Sequence, residues 1–266
     1  MGEVLTEKEI LALQKYRLNQ GGKNFFAVAD LLDEASLREF MKTLATAIGA
    51  PNEKVAASIF VKRYAFLAVI SLYGMTSWNK KVDVSLNNVY METPDKGSNW
   101  LPAFSFKELK AEEWNSGEDR SEWRKTVISD LFAKNIYPII VKLEKTFGVS
   151  RFILWENIAV YIFWLYETEL KNIDNNNIQD DFKYLLFEAD GSLFGRYRLN
   201  PIQKYYGEKV YVEESGEEVR KRKTCCFTYQ LEGSTKRCKT CPCAHIAKDG
   251  RCAYGEDLCG PARGLA

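Results

Sequence analysis

Residues 152–166 read FILWENIAVYIFWLY, Phe152 to Tyr166. A run this apolar belongs either inside a bilayer or inside a folded protein. It is shorter than the ~20 residues that a spanning helix needs, and it carries Glu156 and Asn157. It therefore reads as a buried helix, with Ser150 placed to cap its start. Trp155 and Trp164 are then expected to be core residues.

The rest of the chain agrees with a packed body. Its 266 residues are 46% hydrophobic and 13% aromatic, ample for a core without disulfide staples. Thr6-x-x-Glu9 forms a capping box, a better reading of the first residues than the loose lipidation pattern Gly2 to Thr6. Ser36-x-x-Glu39 opens a helix carrying Leu37, Phe40, Met41 and Leu44, closed by Gly49. A long apolar segment runs from about Val55 to Leu72, with Lys62 and Arg63 expected on its solvent face. Residues 82–93 alternate as two short strands around Asn87-Asn88, and a loop rich in Pro, Gly and Asn follows from Pro94 to Pro102. Helical periodicity returns over 121–147, with Pro138 expected to interrupt it.

Beyond Tyr166 a polar loop (172–181) leads to a helix ending near Phe187. From Asp190 the pattern is irregular. Residues 209–231, KVYVEESGEEVRKRKTCCFTYQL, read as a hairpin turning at Ser215-Gly216. Cys225 and Cys226 fall near the end of its second strand. The expected architecture is α+β. Residues 1–190 form a mainly helical, substrate-binding body with a small antiparallel sheet. Residues 191–266 supply a hairpin and a cysteine-bearing region.

All seven cysteines lie in the last 42 residues: Cys225, Cys226, Cys238, Cys241, Cys243, Cys252 and Cys259. No export signal opens the chain, so a cytoplasmic location with reduced thiols is expected, and clustered thiols there point to a metal or redox role. Charge is asymmetric too. Residues 192–266 carry 14 Lys and Arg against 9 Asp and Glu, and residues 1–191 carry 23 against 27. The positive field at the cysteine end favours an anionic partner.

Four thiolates from two short segments suit zinc or an iron–sulfur cluster. Structural zinc sites use two knuckles of the C-x2–4-C kind. The directly adjacent Cys225 and Cys226 point to opposite faces if they lie on a strand. A wider two-iron cluster accepts ligands from more than one direction, which favours [2Fe–2S] and leaves zinc open.

The stretch CCFTYQLEGSTKRCKTCP, 225–242, resembles the C-terminal signature of the FhuF-type ferric-siderophore reductases. The resemblance includes the aromatic-rich strand after the pair (Phe227, Tyr229, Leu231), Pro242, and the basic lead-in Arg220 to Lys223. It implies a [2Fe–2S] cluster on Cys225, Cys226, Cys238 and Cys241. It also implies a fold similar to the C-terminal part of siderophore synthetases. The spacer here is eleven residues rather than the family's usual ten. Cys243 is a rival fourth ligand. A second metal site from Cys243, His245, Cys252 and Cys259 is a further alternative.

One-electron reduction of a bound ferric siderophore, of hydroxamate or citrate type, follows from that resemblance. Hard oxygen ligands hold Fe(III) better than Fe(II), so reduction releases the iron. Arg196, Arg198 and Lys204 are candidate substrate residues, with Tyr205 and Tyr206 beside them. Lys223, Lys236, Arg237 and Lys239 flank the cysteines, where they would stabilise a reduced cluster or dock an acidic donor. No dinucleotide fingerprint or P-loop is present, so a ferredoxin or flavodoxin-like donor is implied. No nucleic acid and no stable membrane anchor are expected, although peripheral association is compatible. The alternatives are a zinc-knuckle binding module and an iron–sulfur redox sensor.

Overall fold

The computed structural model describes residues 3–21, 24–95, 100–213, 216–234 and 237–244. Seven α-helices fall within them: α1 (Glu7–Gln14), α2 (Glu34–Ala47), α3 (Glu53–Trp78), α4 (Arg120–Leu131), α5 (Tyr137–Phe147), α6 (Arg151–Trp164) and α7 (Asn177–Lys183). The strands are β1 (Glu3–Val4), β2 (Phe25–Ala27), β3 (Lys80–Val82), β4 (Val89–Glu92), β5 (Phe104–Phe106), β6 (Lys110–Glu113), β7 (Val210–Val212) and β8 (Glu217–Val219). They form two antiparallel three-stranded sheets, β1-β6-β3 and β2-β4-β5, and the hairpin β7-β8. The mainly helical α+β expectation holds.

Helix α3 is the axis of the body. Asn52 caps it by accepting the Val55 amide at 3.0 Å, and Asn79 ends it in the left-handed conformation. It is long and apolar enough to cross a membrane, yet 89% of that stretch is buried inside the fold. Apolar residues on every face make it a helix wrapped by others. Helix α6, capped by Ser150, packs along it. Ser58 meets Asn157, Phe66 meets Tyr161 and Trp164, and Thr76 meets Tyr166. Both series ascend, so the two helices run in the same direction. Trp155 is fully buried and Trp164 is half-buried.

Asp181 on α7 is fully buried and accepts both arms of Arg120, at 2.8 and 2.9 Å, plus Arg124 at 3.0 Å and Thr76 at 3.0 Å. Removing one partner of such a buried network costs about 3–5 kcal/mol, so Asp181 ties α7 to α3 and α4.

Several sequence expectations need correction. Asp33, not Ser36, caps α2, and it does so by accepting the Ser36 amide. The Thr6 capping box is present. Strands β3 and β4 do not pair with each other: β3 joins β6, and β4 joins β2 and β5. The interruption near Pro138 is a π-helical turn, Phe132–Ile136, just before it. Further π turns follow α6 (Leu165–Glu169) and α7 (Tyr184–Glu188). The hairpin's second strand ends at Val219, before the cysteines. Gly2, Ser215, Lys236, His245, Cys252 and Cys259 lie outside the described residues.

Candidate functional site

The two polar residues of the 152–166 run hold the chain that leads to the cysteines. Glu156 is buried, and its carboxylate accepts the amides of Lys223 and Thr224 at 2.6 and 2.7 Å and the Thr224 hydroxyl. The Arg222 guanidinium, itself buried, approaches the same carboxylate at 3.5 Å. It also donates to Asn157 Oδ1 at 2.5 Å. Asn157 Nδ2 in turn donates to the carbonyl and hydroxyl oxygens of Ser58, at 2.9 and 3.0 Å. The Ser58 hydroxyl then donates to the Cys226 carbonyl at 3.0 Å. The carboxylate of Glu156 and the amide of Asn157 are thus hydrogen-bonded, and the Arg222 Nε, which makes no hydrogen bond, has the Glu156 charge 3.5 Å away, which is what makes burying the relay tolerable.

The cysteine pair sits at a turn, not on a strand. Phe227 takes the left-handed conformation at φ 64°, and Thr228–Gln230 form a 3-10 turn. The expected strand through Phe227, Tyr229 and Leu231 is therefore absent. With it goes the argument that the two sulfurs must face apart. The spacer is then pinned from α2: the Glu232 amide donates to the Gly49 carbonyl at 2.8 Å. Gly49 is left-handed, and a Cβ there would lie 2.4 Å from Glu232 Cβ, so only glycine permits this approach.

The second cysteine segment is tied back by the Arg222 amide, which donates to the Thr240 carbonyl at 2.7 Å. Cys241 N donates to the Cys238 carbonyl at 2.9 Å, closing a tight turn. Cys225 and Cys241 bring their sulfurs to 3.7 Å, and Cys238 contacts both Cys226 and Cys241. All four expected cysteines thus meet, and Cys243 joins them through its own contact with Cys241. Among the described residues no group of three or more Cys, His, Asp or Glu is arranged to hold a metal ion. The thiols meet as contacting pairs.

Donors surround the sulfurs. Cys225 accepts from the Phe227 amide at 3.4 Å and from Arg237 at 3.8 Å. Cys226 faces the Lys62 ammonium at 3.7 Å and the Thr228 hydroxyl at 3.0 Å. Lys62 was expected in solvent but reaches the site from α3. The hydrogen bond from Cys241 lowers the Cys225 thiol below its ordinary value, against burial. Cys226 is pushed up to about 11 by its bond to Cys238 and by burial.

The other expected residues divide. Lys223 is exposed beside the pair, and Lys204 lies near it, stacked 3.6 Å over Phe152. Arg237 stacks 3.6 Å over Tyr229. Lys239 pairs with Glu217 at 3.1 Å. Arg196 and Arg198 are exposed on a separate loop. Tyr205 is buried and donates to the Phe152 carbonyl at 2.7 Å, and Tyr206 stacks under Arg220 at 4.2 Å. A cleft of about 420 Å³ opens between α6 and the hairpin, lined by Glu156, Trp164, Glu167, Arg220, Arg222 and Thr240. Its arginines already have partners, since Arg220 binds Glu167 through both arms at 3.0 and 2.8 Å.

Glu156, Asn157, Ser58 and Lys62 had no assigned role in the sequence reading. The available signal was the presence of two adjacent polar residues inside an otherwise apolar helix.

Comparison with known families matches residues 58–207 to the one described as "Ferric iron reductase FhuF-like transporter". The match covers more than half of the chain. It begins at Ser58, spans α3 to the start of the hairpin region, and stops before the cysteines. Comparison with curated proteins gave no match.

Proposed function

The chain belongs to the FhuF-like ferric iron reductase family, and from that premise we propose that it reduces a bound ferric siderophore by one electron and releases Fe(II) in the cytosol. The reading includes a [2Fe–2S] cluster on Cys225, Cys226, Cys238 and Cys241. The observation that carries it is the meeting of these four thiols in pairs, with Cys225 and Cys241 3.7 Å apart. All four are soft sulfur donors, the set that such clusters take.

Bound there, the cluster would supply a one-electron carrier. The chain's own groups prepare the site for it. Lys62 and Arg237 place cations against Cys226 and Cys225, and the Phe227 amide and Thr228 hydroxyl point at the same sulfurs. Such donors stabilise added negative charge and raise the reduction potential. The relay from Glu156 to Ser58 fixes the first cysteine segment to the two central helices. The substrate is an Fe(III) chelate with hard oxygen ligands, which loses its grip once the iron becomes Fe(II). Exposed Lys204, Lys221, Lys223 and Lys239 form a positive rim suited to an acidic ferredoxin or flavodoxin-like donor.

Anaerobic purification with metal analysis and a visible spectrum tests the site. The expected protein is red-brown, holds about two irons per chain and bleaches with dithionite. A colourless protein with stoichiometric zinc overturns the reading in favour of a zinc knuckle.

A further inference from the structure

Two arginines outside the cysteine site lie near enough to repel one another, with no acid paired to either among the described residues. Arg17 follows α1, and Arg63 is on α3. Arg17 lies 4.4 Å over the Phe66 ring, and Arg63 shares the helix face of Phe66 at i,i+3. The Nε of each is buried with no hydrogen-bond partner. Neither guanidinium has a carboxylate partner among the described residues. Burial and then the nearby Arg63 charge depress the Arg17 guanidinium from its ordinary value. Two half-buried like charges are costly to hold together unless an anion joins them.

The backbone reinforces the arrangement. Arg17 sits at φ 75°, left-handed and unusual for a residue with a side chain. Its carbonyl accepts the Phe104 amide at 2.7 Å, which holds the strained residue in place. Conformations of this kind cluster at ligand sites.

The place of the pair matters as much as its charge. Ser58, Lys62 and Phe66 form one stripe of α3, and Asn157, Tyr161 and Trp164 form one stripe of α6. These stripes meet: Ser58 bonds Asn157, and Phe66 packs on Tyr161 and Trp164 at 4.8 and 6.2 Å. Phe66 is one helical turn, about 5.4 Å, beyond Lys62, and Lys62 touches Cys226. The arginine pair is therefore close to the cysteines along the α3–α6 seam. By contrast, the cleft beside the hairpin has arginines that are already paired, and Arg196 and Arg198 are exposed on another loop.

We propose that Arg17 and Arg63 form the substrate's anion site, selecting ferric chelates with free or iron-bound carboxylates, of the citrate type, over uncharged hydroxamates. The proposal rests on the reductase reading for its substrate. Its chemistry is that of two forked guanidiniums, which bind carboxylate oxygens bidentately, beside a flat aromatic wall.

The test separates binding from reduction by using gallium, which mimics Fe(III) but takes no electron. The full-length protein is titrated with the gallium complex of a citrate-based siderophore and with an uncharged gallium trihydroxamate. Arg17→Gln and Arg63→Gln should each weaken the first complex by at least about tenfold, as expected for a lost hydrogen bond to a charged group. The second complex should bind as in the parent protein. Thermal midpoints should not fall, because each substitution relieves the repulsion. Arg17→Lys and Arg63→Lys, which keep charge but lose the fork, should fall between. Unchanged affinity for the citrate complex, no binding of it by the parent protein, or equal loss of both complexes would overturn the site. If the arginine-dependent binding is present but the reduced protein passes no electron to the ferric form, the reductase reading fails and the site stands.

Discussion

The carboxylate of Glu156 accepts the backbone amide of Thr224 at 2.7 Å, one residue before the cysteine pair. Through this contact a buried charge in the apolar helix α6 fixes the approach to Cys225. The same carboxylate also takes the Lys223 amide at 2.6 Å, so the turn is held at two successive residues.

Glu156→Gln should therefore uncouple the cysteine segment. The neutral amide is a weaker acceptor and leaves buried Arg222 without its facing charge. With hydrogen bonds to charged groups at about 1.5–3 kcal/mol each, a loss of about 3 kcal/mol is expected. Urea unfolding should show it, together with a clear drop in iron per chain. Full iron loading in the variant would mean that the anchor is dispensable.

Lys62→Met removes the ammonium 3.7 Å from Cys226 while keeping the length of the side chain. The reduction potential should shift negative, by on the order of 50 mV, a little under tenfold in a one-electron equilibrium. Spectroelectrochemical titration reads this directly. A potential equal to that of the parent protein would place Lys62 in a packing role only.

Cys243→Ser should leave the iron content and spectrum intact, because Cys243, although it touches Cys241, is extra to the adjacent pair and the C-x2-C that supply the four proposed ligands. Serine at Cys225, Cys226, Cys238 or Cys241 should abolish or strongly alter both. A Cys243 variant that loses its colour would make that residue the fourth ligand.

The Glu167 and Arg220 pair gives a pH signature. Burial pushes the Glu167 carboxyl up, but hydrogen bonds from Arg220 and Lys209 outweigh it and hold the group below 4.5. A lowered folded value means that the stabilisation is present above pH 4.5 and lost as pH falls through the folded value. Glu167→Gln should flatten the acid limb of the urea midpoint plotted against pH. An unchanged limb would assign acid sensitivity to other carboxylates.

The cysteine grouping was legible because it is local: an adjacent pair and a C-x2-C within 17 residues. The core helices were legible from caps such as Thr6 and Ser150 and from apolar runs. What supports the site was not. Glu156 reaches Thr224 across 68 positions, and Ser58 reaches Cys226 across 168. No periodicity encodes such pairings. Lys62 looked like a solvent-facing charge because its partner comes from the far end of the chain. The strand expected after the cysteine pair lost to a left-handed Phe227, since alternating aromatic residues also suit a turn pinned between α2 and α3. Strands β5 and β6 are too short, at three and four residues, for alternation to mark them.

Electron transfer from the cysteine site to a ferric siderophore is the step on which the proposed function depends. Anaerobic stopped-flow mixing of the dithionite-reduced, desalted protein with one equivalent of a citrate-based ferric siderophore tests it most directly. The bleached visible absorbance should return in a single turnover while a ferrous chelator develops colour in step. A reduced protein whose absorbance stays bleached with every ferric chelate, citrate or hydroxamate, would contradict it.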